Sequence, residues 1–217
     1  RSNEKESFEK LIRRLLLLKK HPSLIQDREC LRLAMECNYE LRWISDEKVL
    51  AIVEASPKKG WGTFLLRPGH SHGPSLQIPT PLSEWRTVES GAALFRHLEA
   101  GSLAMAGAGR NVNRDGSSDM LQKGDSLYAI FNRLCGYAGS LQIRGLGDAF
   151  LKREKGLRPL DTTEEVESSE LLVWGAMPKG IELRNLSTVL HDLKISWNRT
   201  EGSKLPLEVQ PSAHGEL

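Results

Sequence analysis

Ser102-Leu-Ala-Met-Ala106 runs directly into Gly107-Ala-Gly-Arg-Asn-Val-Asn-Arg-Asp-Gly116, and Ser126-Leu-Tyr-Ala-Ile-Phe-Asn-Arg-Leu-Cys135 follows soon after. A short apolar run, a loop rich in Gly, Asn and Asp, and a helix-prone stretch in that order make one strand–loop–helix unit. The same alternation continues on both sides. A helix is expected over 87–99 and strands over 76–78, 140–143, 171–174 and 194–197, with a further helix over 181–191. Strands alternating with helices call for an α/β domain of three layers, a mostly parallel mixed sheet covered on both faces. Two β-prone runs, 49–55 and 62–66, flank the turn-rich Ser56-Pro-Lys-Lys-Gly60 and predict an antiparallel hairpin at one edge.

Residues 1–40 read as an N-terminal helical hairpin and 41–217 as the α/β domain, truncated at its C-terminus if the chain is an excised piece. Phe8, Leu11, Ile12, Leu15 and Leu18 recur at helical spacing, so a helix is expected from a Ser7 cap to about Lys20. His21-Pro22-Ser23 breaks it, and Ser23 is placed to cap a second helix carrying Leu24, Leu31 and Met35. Arg13, Arg14, Lys19 and Lys20 then form the solvated face of the first helix. Residues 152–169, charged and turn-rich, are expected to be a surface excursion.

The chain's 217 residues can bury a sizeable core, and its charges nearly cancel at +2. No global field therefore recruits nucleic acid, and no nucleic-acid partner is expected. No apolar run approaches the roughly 20 residues of a membrane span. Cys30, Cys37 and Cys135 are three in number and show no paired metal or disulfide spacing, which suits a reducing, cytoplasmic setting.

In open α/β sheets, ligands sit beyond the carboxyl ends of the strands. Here those loops carry Pro79-Thr-Pro81, the 106–119 segment, Arg144-Gly-Leu-Gly-Asp148 and Gly175-Ala-Met-Pro178. Glycines in 106–119 let backbone N–H groups approach an anion, and Arg110 or Arg114 can hold a carboxylate two-pronged. The segment has no Walker Gly-Lys-Ser/Thr and lacks dinucleotide-loop spacing. Pro68-Gly-His-Ser-His-Gly-Pro74 offers a second possibility, with His70 and His72 as zinc ligands and an aspartate such as Asp119 completing the set. No Gly-x-Ser-x-Gly elbow is present, and Cys135 has no evident histidine partner.

Taken in order, Trp61-Gly-Thr-Phe64, Gln77-Ile-Pro-Thr-Pro81, Thr87 before Leu94-Phe95, and Ala106-Gly-Ala-Gly-Arg110 match a set of landmarks that continues further along the chain. The later ones are Ser118-Asp119, Asp125-Ser-Leu-Tyr128 and Leu141-Gln-Ile-Arg-Gly145. Over residues 60–200 this series resembles the zinc-dependent amidohydrolase and carboxypeptidase-like hydrolases, the group that includes N-formylglutamate amidohydrolases and poly-γ-glutamate hydrolases. The resemblance implies a metal-dependent hydrolase fold whose ligand positions are replaced in this chain. Gln77 and Thr80 stand at the turn, Gly109 precedes Arg110, Gln122 follows Ser118-Asp119, Asn132 lies in the next helix, and Arg144 ends a strand. Neutral Gln, Thr and Asn bind zinc poorly and Arg not at all.

The expectation is a hydrolase-like domain without cofactor that binds an acidic small molecule or peptide carboxylate. Its site residues would be Thr80, Gly109, Arg110, Asn113, Asp119, Gln122, Asn132 and Arg144. One alternative is a working zinc amidohydrolase or peptidase using His70 and His72. Another is a structural or protein-interaction domain docking through its N-terminal helix.

Overall fold

The computed structural model describes residues 2–18, 26–69, 73–84, 87–109, 111–116, 118–136, 139–144, 170–174, 183–192 and 196–200. Two helices come first, α1 (Ser2–Leu17) and α2 (Arg28–Glu36), so the expected N-terminal helix pair is present. Ser7 is not a cap: α1 begins five residues earlier, and the Ser7 hydroxyl donates to Glu36 Oε2 at 2.7 Å. Asp27 caps α2, its carboxylate accepting from the Cys30 amide at 2.8 Å. Lys19, Lys20 and Ser23 lie outside the described residues.

Next come β1 (Tyr39–Ile44), β2 (Val49–Glu54), β3 (Thr63–Leu66), β4 (Ser75–Ile78), α3 (Thr87–His97), β5 (Ser102–Met105), α4 (Leu127–Cys135) and β6 (Ser140–Gln142). Six strands form one sheet in the order β1-β2-β3-β5-β4-β6. A separate parallel pair, β7 (Glu170–Trp174) and β8 (Ser196–Thr200), is joined through α5 (Leu183–Asp192). The α/β class and the mixed sheet match expectation, and so does the β2–β3 hairpin, which pairs Leu50 with Leu66.

"Mostly parallel" needs correction for the six-stranded sheet. Its pairings β1–β2, β2–β3 and β3–β5 are antiparallel, whereas only β4–β5 and β4–β6 are parallel. Helix–strand alternation signals parallel strands only where a crossover helix intervenes. The N-terminal part of the sheet has none, and β1, with exposed Glu40 and Arg42 alternating with half-buried Leu41 and Trp43, carries little apolar signal.

Alternation along the strands then builds two cores. Leu50, Ile52, Phe64, Leu66, Ala104 and Ala106 face α1, α2 and α4, while Val49, Leu76, Ile78 and Leu103 face α3 and α5. Burying each large aliphatic side chain contributes roughly 1.5–3 kcal/mol, so helices on both faces are what makes the sheet stable. Phe8 of α1 lies 5.2 Å from Phe64 and 5.3 Å from Tyr39, ring centre to centre, which seats the N-terminal helix directly on the sheet. Gly91 lets α3 close on β4: a Cβ there would fall 2.4 Å from Ile78 Cδ1.

Two features of this arrangement position a site. The chain leaves β4 toward α3 on one face and leaves β5 toward α4 on the other, so their carboxyl ends part. Such divergence opens a crevice at the carboxyl ends of parallel strands.

Candidate site at the carboxyl ends of β4 and β6

Strand β4 alternates in an unusual way. Leu76 and Ile78 join the α3 core, but the opposite face presents Ser75 and Gln77, both essentially without solvent contact. Ser75 is answered by Ser102, hydroxyl to hydroxyl at 2.9 Å. Gln77 meets Gln142 of β6, whose amide donates to Gln77 Oε1 at 3.2 Å. Gln77 Nε2 has no partner.

Above Gln77 lie the residues that follow β4 and β6. Thr80 is buried, with its hydroxyl unpartnered and its carbonyl accepting from the Ser83 and Glu84 amides, both at 3.1 Å. That turn brings Glu84 to Arg144, directly after β6. Arg144 Nε and Nη2 both donate to Glu84 Oε1, at 2.9 and 2.8 Å, and Nε also reaches Oε2 at 3.2 Å. The two side chains are only 8% and 13% exposed, so water screens the pair little, and Arg144 Nη1 still lacks a partner.

Helix α4 roofs the cluster. It is apolar on nearly every buried position, yet Tyr128 and Asn132, four residues apart on one face, are both fully buried. Burial pushes the Tyr128 phenol well above its usual pKa, offset in part by the adjacent Asn132 amide and the Arg144 charge. Neither polar atom of Asn132 makes a hydrogen bond of ordinary length and angle, although its amide lies close enough to act on the Tyr128 phenol. Buried donors and acceptors are ordinarily satisfied. Here Gln77 Nε2, Thr80 Oγ1, Arg144 Nη1 and both ends of the Asn132 amide stand out, as do Arg67 Nε and Nη2 at the other end of the sheet. The first set offers several donors and few acceptors, complementary to an oxygen-rich molecule.

The structure thus links Thr80, Asn132 and Arg144 of the sequence-derived set through Glu84 and Tyr128. The other members lie elsewhere or differ in kind. Asn113 and Gln122 are exposed. Asp119 is buried, but its Oδ1 accepts from the Leu121 amide at 3.1 Å within its own turn. Gly109 is half-buried and faces Val112. Arg110, His70 and His72 lie outside the described residues.

Glu84, Tyr128 and Gln142 were not assigned to the site from the sequence, and Gln77 appeared only as a departure from the family pattern. A legible signal did exist: polar residues at 75 and 77 on a short strand, and Tyr128 with Asn132 as a stripe in an apolar helix.

The loop at 106–119 starts against the link between β2 and β3. Gly107 packs on the turn after β2, where a Cβ would lie 2.6 Å from the Gly62 amide and 3.0 Å from Glu54 Oε1. Its described residues 111–116 are exposed, with Ser118 Oγ accepting from the Asn113 amide at 3.1 Å.

Other chemistries find less support. Burial pushes the Cys135 thiol up to about 12 and the Cys30 thiol to about 11, so both stay protonated at neutral pH and are poor nucleophiles. Among the described residues, no three or more His, Cys, Asp or Glu side chains gather as a metal site would require. A cavity of about 70 Å³ opens at the opposite, amino ends of β4 and β5, lined mainly by Leu15, Leu16, Leu66, Leu134 and glycines. Its lining is mostly apolar but includes Ser102 and Arg67, whose Nε and Nη2 are buried without a partner, and it lies at the opposite end of the strands from the polar cluster. Among the described residues no helix is long and apolar enough to cross a membrane. Compared with protein-family models, curated proteins and solved structures, the chain has no significant match to any of them.

Proposed function

We propose that this chain is a hydrolase-like α/β domain that binds a carboxylate, from an acidic small molecule or a peptide, without catalysing its hydrolysis. The observation that carries the reading is the set of buried polar atoms without partners on Gln77, Thr80, Asn132 and Arg144, residues connected through Glu84, Tyr128 and Gln142 near the carboxyl ends of β4 and β6. Arg144 supplies a buried positive charge to this set, and the Asn132 and Gln77 amides supply neutral N–H donors. The donor set suits an anion's oxygens and not a divalent metal, for which Arg is no ligand and Asn, Gln and Thr are weak ones. The hydrolase resemblance supports the same place, since four of the six replaced positions it implies, Gln77, Thr80, Asn132 and Arg144, belong to this set. Three free, buried cysteines support a cytoplasmic setting.

The test uses Asn132→Leu, which has similar volume and removes a buried amide without ordinary hydrogen bonds. Replacing an unsatisfied buried polar group by a hydrocarbon of like shape is neutral or stabilising, by about 1–2 kcal/mol. The expected result is a melting temperature equal to or above wild type, together with loss of glutarate binding measured calorimetrically. A melting temperature several degrees lower would assign Asn132 to the scaffold and overturn the reading. Stoichiometric zinc in the purified protein, lost in the His70→Ala, His72→Ala double variant, would favour the metallohydrolase alternative instead.

A further inference from the structure

We propose that Glu84 is an internal competitor for the bound carboxylate, occupying the Arg144 guanidinium until a ligand displaces it. This rests on the carboxylate-binding reading above. Arg144 presents Nε and Nη2 as a two-pronged fork, and Glu84 already holds that fork at 2.9 and 2.8 Å. An incoming carboxylate prefers the same fork, because two parallel N–H donors match its two oxygens. Both cannot be seated. With Glu84 in place the pair is neutral, so a ligand carboxylate entering the cluster would bury an uncompensated negative charge beside a like charge. The seat must therefore be exchanged, and an acidic ligand binds only the fraction of molecules in which Glu84 has left.

The backbone at Glu84 suits such an exchange. Its amide donates to Thr80 O at 3.1 Å, and its carbonyl accepts from Thr87 Oγ1 at 2.8 Å, at the first residue of α3. The main chain is thus tied on both sides, and rotation of the side chain alone can free Arg144. Glu84 is the more exposed partner, at 13% against 8% for Arg144. Arg144 Nη1 is unpartnered whichever carboxylate holds the fork, and marks the direction in which the ligand's further oxygens extend.

The experiment compares wild type with Glu84→Gln, which keeps the side-chain shape and removes the competing charge. Calorimetric titrations use glutarate, and a short peptide ending in a free carboxylate beside its amidated form. A binding-competent state populated only in part weakens apparent affinity by that fraction, so Glu84→Gln is expected to bind about tenfold tighter. Tightening for glutarate alone identifies a free small acid, and tightening for the free-carboxylate peptide but not its amide identifies a peptide terminus. Either supports the proposal. Wild-type binding that Glu84→Gln leaves unchanged or weakens overturns the competitor role while leaving the binding reading intact. No binding by either protein overturns both. Should Glu84→Gln fail to fold, Glu84→Asp, one methylene short of the fork, must show tightening in the same direction, or the proposal fails.

Discussion

Glu54 ends β2 with its carboxylate turned inward at 7% exposure, and three backbone amides converge on it. Lys59 and Gly60 donate to Oε2 at 2.6 and 2.9 Å, and Gly62 donates to Oε1 at 2.5 Å. One side chain thereby shapes the whole link from β2 to β3. Gly62 is held at φ 119°, and a Cβ there would come within 2.4 Å of Met105 O. Glu54→Gln turns an acceptor into an amide whose N–H faces backbone N–H. We expect a loss of about 3 kcal/mol, read as a lower urea midpoint at unchanged slope. Residues of this kind show why the candidate site was only half legible. Thr80, Asn132 and Arg144 were singled out in the sequence because they stand where the resemblance expects metal ligands. Glu84 and Gln142 acquire meaning only through partners 60 and 65 residues away, and no local pattern encodes such pairing.

At the scale of elements, α1 and α2 are tied at one point. Arg14 of α1 donates to Asp27 through Nε at 3.1 Å and Nη2 at 2.7 Å, while the same carboxylate caps α2 through the Cys30 amide. Hydrogen bonding to Arg14, and then to that amide, holds the Asp27 carboxyl well below its ordinary pKa. A carboxyl depressed in the folded state contributes stability above its unfolded pKa, near 4, and loses it as pH falls below that value. Asp27→Asn keeps an acceptor for the cap but gives up the charge. We expect its stability to change less than that of wild type between about pH 5 and pH 3, measured by denaturant titration at each pH. Asp27→Ala also loses the cap and should cost about 1 kcal/mol at pH 7. Elements with strong periodicity were readable in the sequence. Helix α4 begins one residue after its Ser126 cap, and α3 starts at Thr87 as expected. Strand direction was not readable, because β3 pairs antiparallel with β5 across about 40 residues that include β4 and α3, and a strand–helix–strand order there reads as parallel.

Over the whole molecule, the sheet divides two cores, and the N-terminal helices belong to one of them. Phe8, Tyr39, Phe64 and Phe131 come from α1, β1, β3 and α4, with ring centres 4.7 to 5.9 Å apart. A helix used only for docking would leave the domain beneath it intact when weakened. A helix whose Phe8 has no solvent contact and fills the centre of an aromatic cluster cannot be weakened without exposing Tyr39 and Phe64. Phe8→Ala is therefore expected to destabilise the entire domain by about 3–5 kcal/mol. Trp43 and Trp61 pack against this same core, so tryptophan fluorescence reports on the sheet side while far-ultraviolet dichroism reports on the helices. In denaturant the two signals should move together to a lower midpoint, because helix and sheet share one cooperative core. If the dichroism falls first and the fluorescence transition keeps its wild-type midpoint, α1 is an independent appendage. Its solvated face, where Arg13 pairs with Glu9 and Lys10 with Glu6, would then regain its claim as a docking surface. A single shifted transition makes the helix part of the scaffold that fixes α4, and through α4 the position of Asn132 above β4.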